Sequence, residues 1–103
     1  LFGCGCGRLF EGTAEEMFNS LQKLKMLKPS TKVFCAHEYT MENIRFAQSI
    51  IKNNSLLSQR FHKDKLKLNT LPTTIEVELT TNPFLLAENS EEFKRIRLKK
   101  DVF

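Results

Sequence analysis

Three groups of residues in this chain have the types and spacing to do chemistry. The first is His37, which closes the apolar run Val33-Phe34-Cys35-Ala36 and precedes Glu38, Tyr39 and Thr40. A short apolar run that stops at a histidine reads as a strand delivering an imidazole to a polar tip, where it can bind a metal or move a proton. Open α/β sheets place ligands at such strand ends. Taken alone, a strand-end histidine is more often hydrogen-bonded scaffolding, so its reading depends on the company it keeps. The second group is Gly3-Cys4-Gly5-Cys6-Gly7-Arg8. Alternate glycines let the backbone turn tightly and approach a ligand closely. The spacing fails as a phosphate cradle, with no Gly-Lys-Ser/Thr and no G-x-G-x-x-G. A lone Cys-x-Cys is also weak evidence for zinc, because a structural site needs four ligands. Cys4 and Cys6 therefore read as small buried thiols in a tight turn, whereas Arg8 beside that turn is placed to hold a carboxylate. The third group is Arg97 and Lys100, three apart in a helix-like segment, which would project from one face and could grip one carboxylate.

The elements that must position these residues follow from caps and periodicity. Thr13-Ala14-Glu15-Glu16 is a capping box, and the helix it starts carries Ala14, Met17, Phe18, Leu21, Leu24 and Leu27 at three- and four-residue spacing. Lys28-Pro29-Ser30 ends that helix. Helix, loop, strand and polar tip make an αβ unit, which places this half of the chain in the α/β class. Thr40 is expected to cap a second helix, with Ile44, Ala47 and Ile51 in line and Phe46 and Ile50 widening the stripe, broken at Asn53-Asn54-Ser55. Ser55 is a candidate cap for a third helix running to about Leu68. That helix would turn Leu56, Leu57, Phe61 and Leu68 inward and Arg60, His62, Lys63, Lys65 and Lys67 mostly outward. Ile75-Glu76-Val77-Glu78-Leu79 alternates as a half-buried strand does. Asn82-Pro83 forces a turn, and Asn89-Ser90-Glu91-Glu92 caps a last helix with the basic run Lys94–Lys100.

With 103 residues, 41% of them hydrophobic, the chain can bury one modest core. It begins at Leu1 rather than Met, and Leu1-Phe2 reads as the end of a strand, so a piece of a longer protein is expected, with the rest upstream. Nothing resembles a signal peptide, and no apolar run approaches the ~20 residues of a membrane span. Three cysteines without framework spacing suit a reducing cytoplasm. The net charge of +4 suits an anionic small molecule as well as a weak nucleic-acid footprint. The basic run covers about two helical turns with no interleaved aromatic platform, which argues against nucleic acid.

Leu1-Phe2 with Gly5-Cys6-Gly7-Arg8, Phe10-Glu11-Gly12-Thr13-Ala14, Cys35-Ala36-His37-Glu38-Tyr39-Thr40, Asn82-Pro83-Phe84 and Arg97-Leu98-Lys99-Lys100-Asp101-Val102-Phe103 together form an ordered set of motifs. In order and spacing across the whole chain, that set resembles the C-terminal part of the glyoxalase II (hydroxyacylglutathione hydrolase) family, bacterial type. The resemblance implies an α/β (α+β) fold. Residues 1-40 would be the end of a metallo-β-lactamase-type αββα sandwich, and residues 41-103 a small, mainly helical substrate-binding domain. It implies hydrolysis of S-(2-hydroxyacyl)glutathione thioesters, chiefly S-D-lactoylglutathione, to glutathione and D-lactate in methylglyoxal detoxification. Two divalent metal ions, zinc with iron or manganese as options, would supply a bound hydroxide as nucleophile, so no catalytic side chain is expected in this chain.

By the same resemblance, His37 matches the last metal-ligating histidine, the other ligands lying outside the chain. Arg8, Tyr39, Arg97 and Lys100 match glutathione-binding positions. Phe10 stands where some members have tyrosine and would contribute packing alone, and Cys4 stands where glycine is usual. The segment matching Thr74 to Leu79 is a short helix in the family, which displaces the strand reading. The whole enzyme is expected to be a cytoplasmic monomer, acting without nucleic acid or membrane. One histidine cannot close a metal site, so this chain by itself is expected to be inactive. The alternative reading is a catalytically inactive remnant, or a glutathione-binding scaffold half.

Overall fold

Thr13 starts the first helix as its sequence predicts: its hydroxyl accepts from the Glu16 amide at 3.1 Å. The return bond of a capping box is replaced by a 3.4 Å contact from the Thr13 hydroxyl to the Glu16 carboxylate. The computed structural model describes all 103 residues, with α1 at Ala14–Lys25, β1 at Lys32–Val33, α2 at Thr40–Ile50 and α3 at Ser55–Asp64. They are followed by β2 at Thr73–Thr74, α4 at Ile75–Thr81, α5 at Pro83–Leu86 and α6 at Ser90–Asp101. No helix is long and apolar enough to cross a membrane.

The molecule is α+β and mainly helical. The strand expected over Val33–Ala36 is limited to Lys32–Val33, which pairs antiparallel with Thr73–Thr74, Lys32 opposite Thr74 and Val33 opposite Thr73. A two-residue ladder is all the sheet there is, so neither an open α/β sheet nor a sandwich layer forms from these residues. Beyond Val33 the run finds no backbone partner, and Phe34 is left 75% exposed.

The alternating segment after β2 is helical. Thr74 caps α4 by accepting from the Val77 amide, and the three-residue spacing of Ile75, Glu78 and Thr81 turns all three inward. Asn82 then caps α5, accepting from the Phe84 amide at 3.0 Å, with Pro83 in the first turn, where its missing N–H costs nothing.

α3 departs from expectation in cap, length and inward face. Asn54 supplies the cap, accepting from the Leu57 amide, and the helix stops at Asp64. Leu57, Arg60 and Asp64 form its buried face, while Leu56 and Leu68 are exposed. A buried carboxylate on α4 pairs with Arg60 on the inward face beside Leu57, and Leu68 lies past the end of the helix. Thr40 is likewise the first residue of α2 rather than its cap. Tyr39 occupies the cap position without a capping bond, and the buried Thr40 hydroxyl lies 2.6 Å from that of Thr70.

α2 divides the core between its two sides. Phe46 joins Cys6, Leu21, Phe84, Leu85, Ala87, Phe93 and Ile96 under α1, α5 and α6. Ile44 and Ala47 join Cys4 and Leu57 towards α3. Phe84 meets Phe93 edge-on at 5.5 Å. Each fully buried phenylalanine contributes about 1.5–3 kcal/mol, so Phe46, Phe84 and Phe93 anchor α2, α5 and α6 to one another.

Candidate functional site

The glycine-rich turn is buried from Gly3 to Cys6 and is held from several sides. A Cβ on Gly5 would lie 2.6 Å from the Asn43 amide nitrogen, so only glycine lets α2 approach this closely. Cys4 holds the left-handed region at φ 57°, a conformation that glycine adopts without strain. Asn43 donates to the Gly3 carbonyl and Asn82 to the Gly5 carbonyl, each at 3.0 Å. The Cys4 amide donates to Glu78 Oε1 at 2.8 Å. Arg97 Nη1 donates to the carbonyls of Cys6 and Gly7 at 2.6 and 3.1 Å.

Glu78 is fully buried and ionically paired. Its Oε1 also accepts from Asn82 at 2.9 Å, and its Oε2 accepts from the Thr73 hydroxyl at 2.8 Å and meets Arg60 Nη2 at 2.7 Å. Arg60 continues to the Thr81 hydroxyl at 2.8 Å and to Asp64 at 3.4 Å. Burial alone would lower the Arg60 pKa, but Glu78, helped by Asp64, more than offsets it and holds the guanidinium charged. The same network bears on the thiols. Burial pushes Cys4 up to about 12, with Arg60 opposing and Glu78 adding to the rise. Cys6 and Cys35 are also raised, chiefly by burial. All three thiols stay protonated at neutral pH, and none is an activated nucleophile.

Beyond the turn lies an open cleft of about 580 Å³ that gathers every residue singled out from the sequence: Arg8, Phe10, His37, Tyr39, Arg97 and Lys100. His37 stacks on Tyr39 with ring centroids 5.0 Å apart and planes 15° apart, and Phe2 meets Tyr39 edge-on at 5.1 Å. Phe10 is 88% exposed at the rim. The Lys100 ammonium lies over the Phe46 and Phe103 rings at 5.8 and 6.0 Å. Neither Arg8 nor Lys100 has a carboxylate within 4 Å, so both cations are free to meet an anion.

Arg97 differs from the sequence reading. Its side chain is 5% exposed, its Nε and Nη2 meet Asp101 Oδ1 at 3.2 and 3.1 Å, and its Nη1 serves the turn. Four of its five N–H groups are therefore engaged, and a joint grip with Lys100 on one carboxylate is not the arrangement seen. The i, i+4 carboxylate of Asp101 and the turn carbonyls capture the fork first.

Arg60, Glu78, Asn43 and Asn82 were not recognisable as site residues from the sequence. A usable signal was present for Glu78, since once Ile75–Thr81 is read as a helix, Glu78 shares the buried face of Ile75. The donor set does not make a metal site: no three His, Cys, Asp or Glu side chains converge to hold an ion. His37 has Phe2 and Tyr39 as its ring neighbours, and no reaction step follows from a metal here. The cleft sets the unpaired cations Arg8 and Lys100 beside aromatic surface, with the Glu42 carboxylate also in its lining.

Residues 38–103 match the family described as the hydroxyacylglutathione hydrolase C-terminus. The whole chain is similar to proteins named hydroxyacylglutathione hydrolase. One, from Prochlorococcus marinus, is 45% identical over 98% of this chain and 42% of its own length. Another, from Methylococcus capsulatus, is 45% identical over all of this chain and 47% of its own length. A third, from Nitrosomonas europaea, is 52% identical over 82% of this chain and 34% of its own length. The chain spans less than half the length of each of these relatives.

Proposed function

Because this chain belongs to the hydroxyacylglutathione hydrolase family, we propose that it supplies the glutathione-binding half of a thioester hydrolase. The observation that carries this reading is the convergence of Arg8, Tyr39 and Lys100 on one cleft, with both cations unpaired. Glutathione carries two carboxylates, and the two free cations suit them, while Tyr39 and Phe2 offer aromatic surface to the peptide. Phe10 contributes packing at the rim, and Arg97 acts on the turn that carries Arg8. In the whole protein the substrate would be an S-(2-hydroxyacyl)glutathione such as S-D-lactoylglutathione, cleaved to glutathione and D-lactate in the detoxification of methylglyoxal.

His37 would serve a pair of divalent metal ions, zinc with iron or manganese as options, only together with ligands from elsewhere in the whole protein. Residues 1-40 would then complete a metallo-β-lactamase-type domain, with residues 41-103 as the substrate-binding domain. The whole enzyme is proposed to be a cytoplasmic monomer without nucleic-acid or membrane partners. For the chain by itself the reading is binding without turnover, since its own donors close no metal site.

Calorimetric titration of the chain with glutathione tests this. Saturable binding that the Arg8→Ala and Lys100→Ala substitutions each weaken is expected. Affinity untouched by both substitutions would mean that glutathione does not bind in this cleft. Hydrolysis of S-lactoylglutathione by the pure chain with added zinc would overturn the claim of binding without turnover.

A further inference from the structure

The cleft has two walls that belong to different parts of the chain. One wall is the glycine turn, which leads from Phe2 through Cys6 and Gly7 to Arg8. The other follows β1 and carries His37 and Tyr39 into α2. The walls meet at the ring contact of Phe2 with Tyr39. Neither wall has extended sheet behind it, because β1 is two residues long and Phe2 makes only an isolated bridge to Gly5. Asn43 ties them once, from the start of α2 to the Gly3 carbonyl, and a second tie runs beneath the cleft.

One carboxylate reaches both. Glu78 Oε1 accepts from the Cys4 amide, inside the turn that leads to Arg8. Glu78 Oε2 accepts from the Thr73 hydroxyl, and Thr73 is the β2 residue paired with Val33, four positions before His37. Arg60 neutralises the charge from the third side, and Asn82 satisfies the remaining approach while also holding the Gly5 carbonyl. Glu78 itself does not line the cleft. A fully buried carboxylate with four partners is kept in one rotamer by them, so its two oxygens act as a spacer of fixed length.

We propose that Glu78 is a positioning residue for the cleft, holding the Arg8 wall and the His37–Tyr39 wall at the spacing that a glutathione thioester requires. The inference rests on the glutathione reading of the cleft for its ligand, but its geometric content stands without any ligand. Arg60 serves it as the counter-charge 2.7 Å from Oε2, and Thr73 carries its hold to β1. The device acts through backbone, so it escapes notice when residues are chosen by their exposure to the cleft.

The test uses the 103-residue chain, isotopically labelled, with glutathione as the probe. Thr73→Val cuts one arm of the spacer at nearly constant volume, and Glu78→Gln keeps its shape but removes its charge. Both are expected to weaken glutathione binding by about threefold to tenfold, the order of one lost hydrogen bond. Both are also expected to erase the nuclear Overhauser contact between Phe2 and Tyr39 while leaving that between Phe84 and Phe93 intact. Leu57→Val, a core truncation away from the spacer, serves as the control and should leave affinity and the Phe2–Tyr39 contact unchanged.

Retention of both affinity and the Phe2–Tyr39 contact in Thr73→Val would overturn the proposal. So would an equal loss in Leu57→Val, which would reduce the effect to general loosening. If the unsubstituted chain binds no glutathione, the ligand reading fails, and the Phe2–Tyr39 contact alone then decides the positioning claim.

Discussion

Arg97 Nη1 donates to the Cys6 carbonyl at 2.6 Å, so the last helix is fastened to the first turn of the chain by a side chain that is almost fully buried. The same nitrogen reaches the Gly7 carbonyl, and the guanidinium plane lies over the Phe84 ring at 5.1 Å. The turn that presents Arg8 is therefore shaped from α6 as well as from α4. The two protons of one terminal nitrogen thus serve two consecutive carbonyls, while the rest of the guanidinium faces Asp101.

Arg97→Ala is expected to cost about 2–4 kcal/mol, because both turn carbonyls lose a charge-assisted partner and the Phe84 face loses its cover. Asp101 adds little to that loss, since its side chain is 37% exposed and water replaces the pair. Arg97→Lys keeps the charge and has protons enough for both carbonyls, but it gives up the contact with Asp101 and the cover over Phe84, so it should recover only part of the loss. Urea unfolding of the three proteins measures this, and full recovery by lysine would show that the fork does not matter. Lys100→Ala, by contrast, should weaken glutathione binding while changing stability by less than about 1 kcal/mol, because its ammonium makes only long cation–π contacts, with the buried Phe46 and the exposed Phe103.

Arg60→Met should be among the most damaging single substitutions, at about 3–5 kcal/mol, because it strands the Glu78 carboxylate without a counter-charge. Urea unfolding of the variant beside the parent protein measures the loss. A loss under about 1 kcal/mol would mean that Glu78 finds another cation.

The thiols give the protein a dependence on alkaline pH. Cys4 is pushed up to about 12 from 9.0, so the folded state retains a proton that the unfolded chain releases. Its contribution is complete below about pH 9 and is lost as pH climbs towards 12. Cys6 and Cys35 share the direction. Stability should therefore decline through the alkaline range, and Cys4→Gly should make that decline shallower while also suiting φ 57°. Unfolding curves at successive pH values above about 8 would show it. An unchanged alkaline slope in Cys4→Gly would mean that the buried thiol is not its source.

What could be read from the sequence was whatever depends on near neighbours. Thr13 and Asn89 each cap within three residues, so the starts of α1 and α6 were legible, whereas Asn82-Pro83 reads as a turn and the structure starts α5 there. The residues of the cleft were legible as motifs, and the structure brings all six of them together. The buried network was not. Arg60 sits among lysines and looked like one more solvated cation, because the carboxylate that draws it in belongs to another helix. Glu78 sits in an alternating stretch whose period suggested a strand, and Thr74, a single capping hydroxyl, tips it into a helix instead. The β1 strand was overestimated because an apolar run states a preference for burial, while strand length depends on partners elsewhere. Arg97 and Lys100 were grouped by spacing, and the turn carbonyls and Asp101 separate their roles.

The approach of α2 to the glycine turn gives a suppressor test. Gly5→Ala would place a Cβ within 3.1 Å of three Asn43 atoms, all of them in its terminal amide group. Backbone cannot yield there cheaply, because the Gly5 carbonyl is held by Asn82 and the Gly3 carbonyl by Asn43 itself. The single variant should lose about 1–3 kcal/mol, the usual range for overpacking a well-packed site. Asn43→Ala removes the obstructing amide and sacrifices one hydrogen bond to Gly3, about 1 kcal/mol. The double variant should therefore be more stable than Gly5→Ala alone, with an interaction energy of the opposite sign to the two single losses. Melting temperatures of the four proteins close the cycle. Strictly additive losses would mean that the clash is relieved by movement of the turn rather than borne by Asn43.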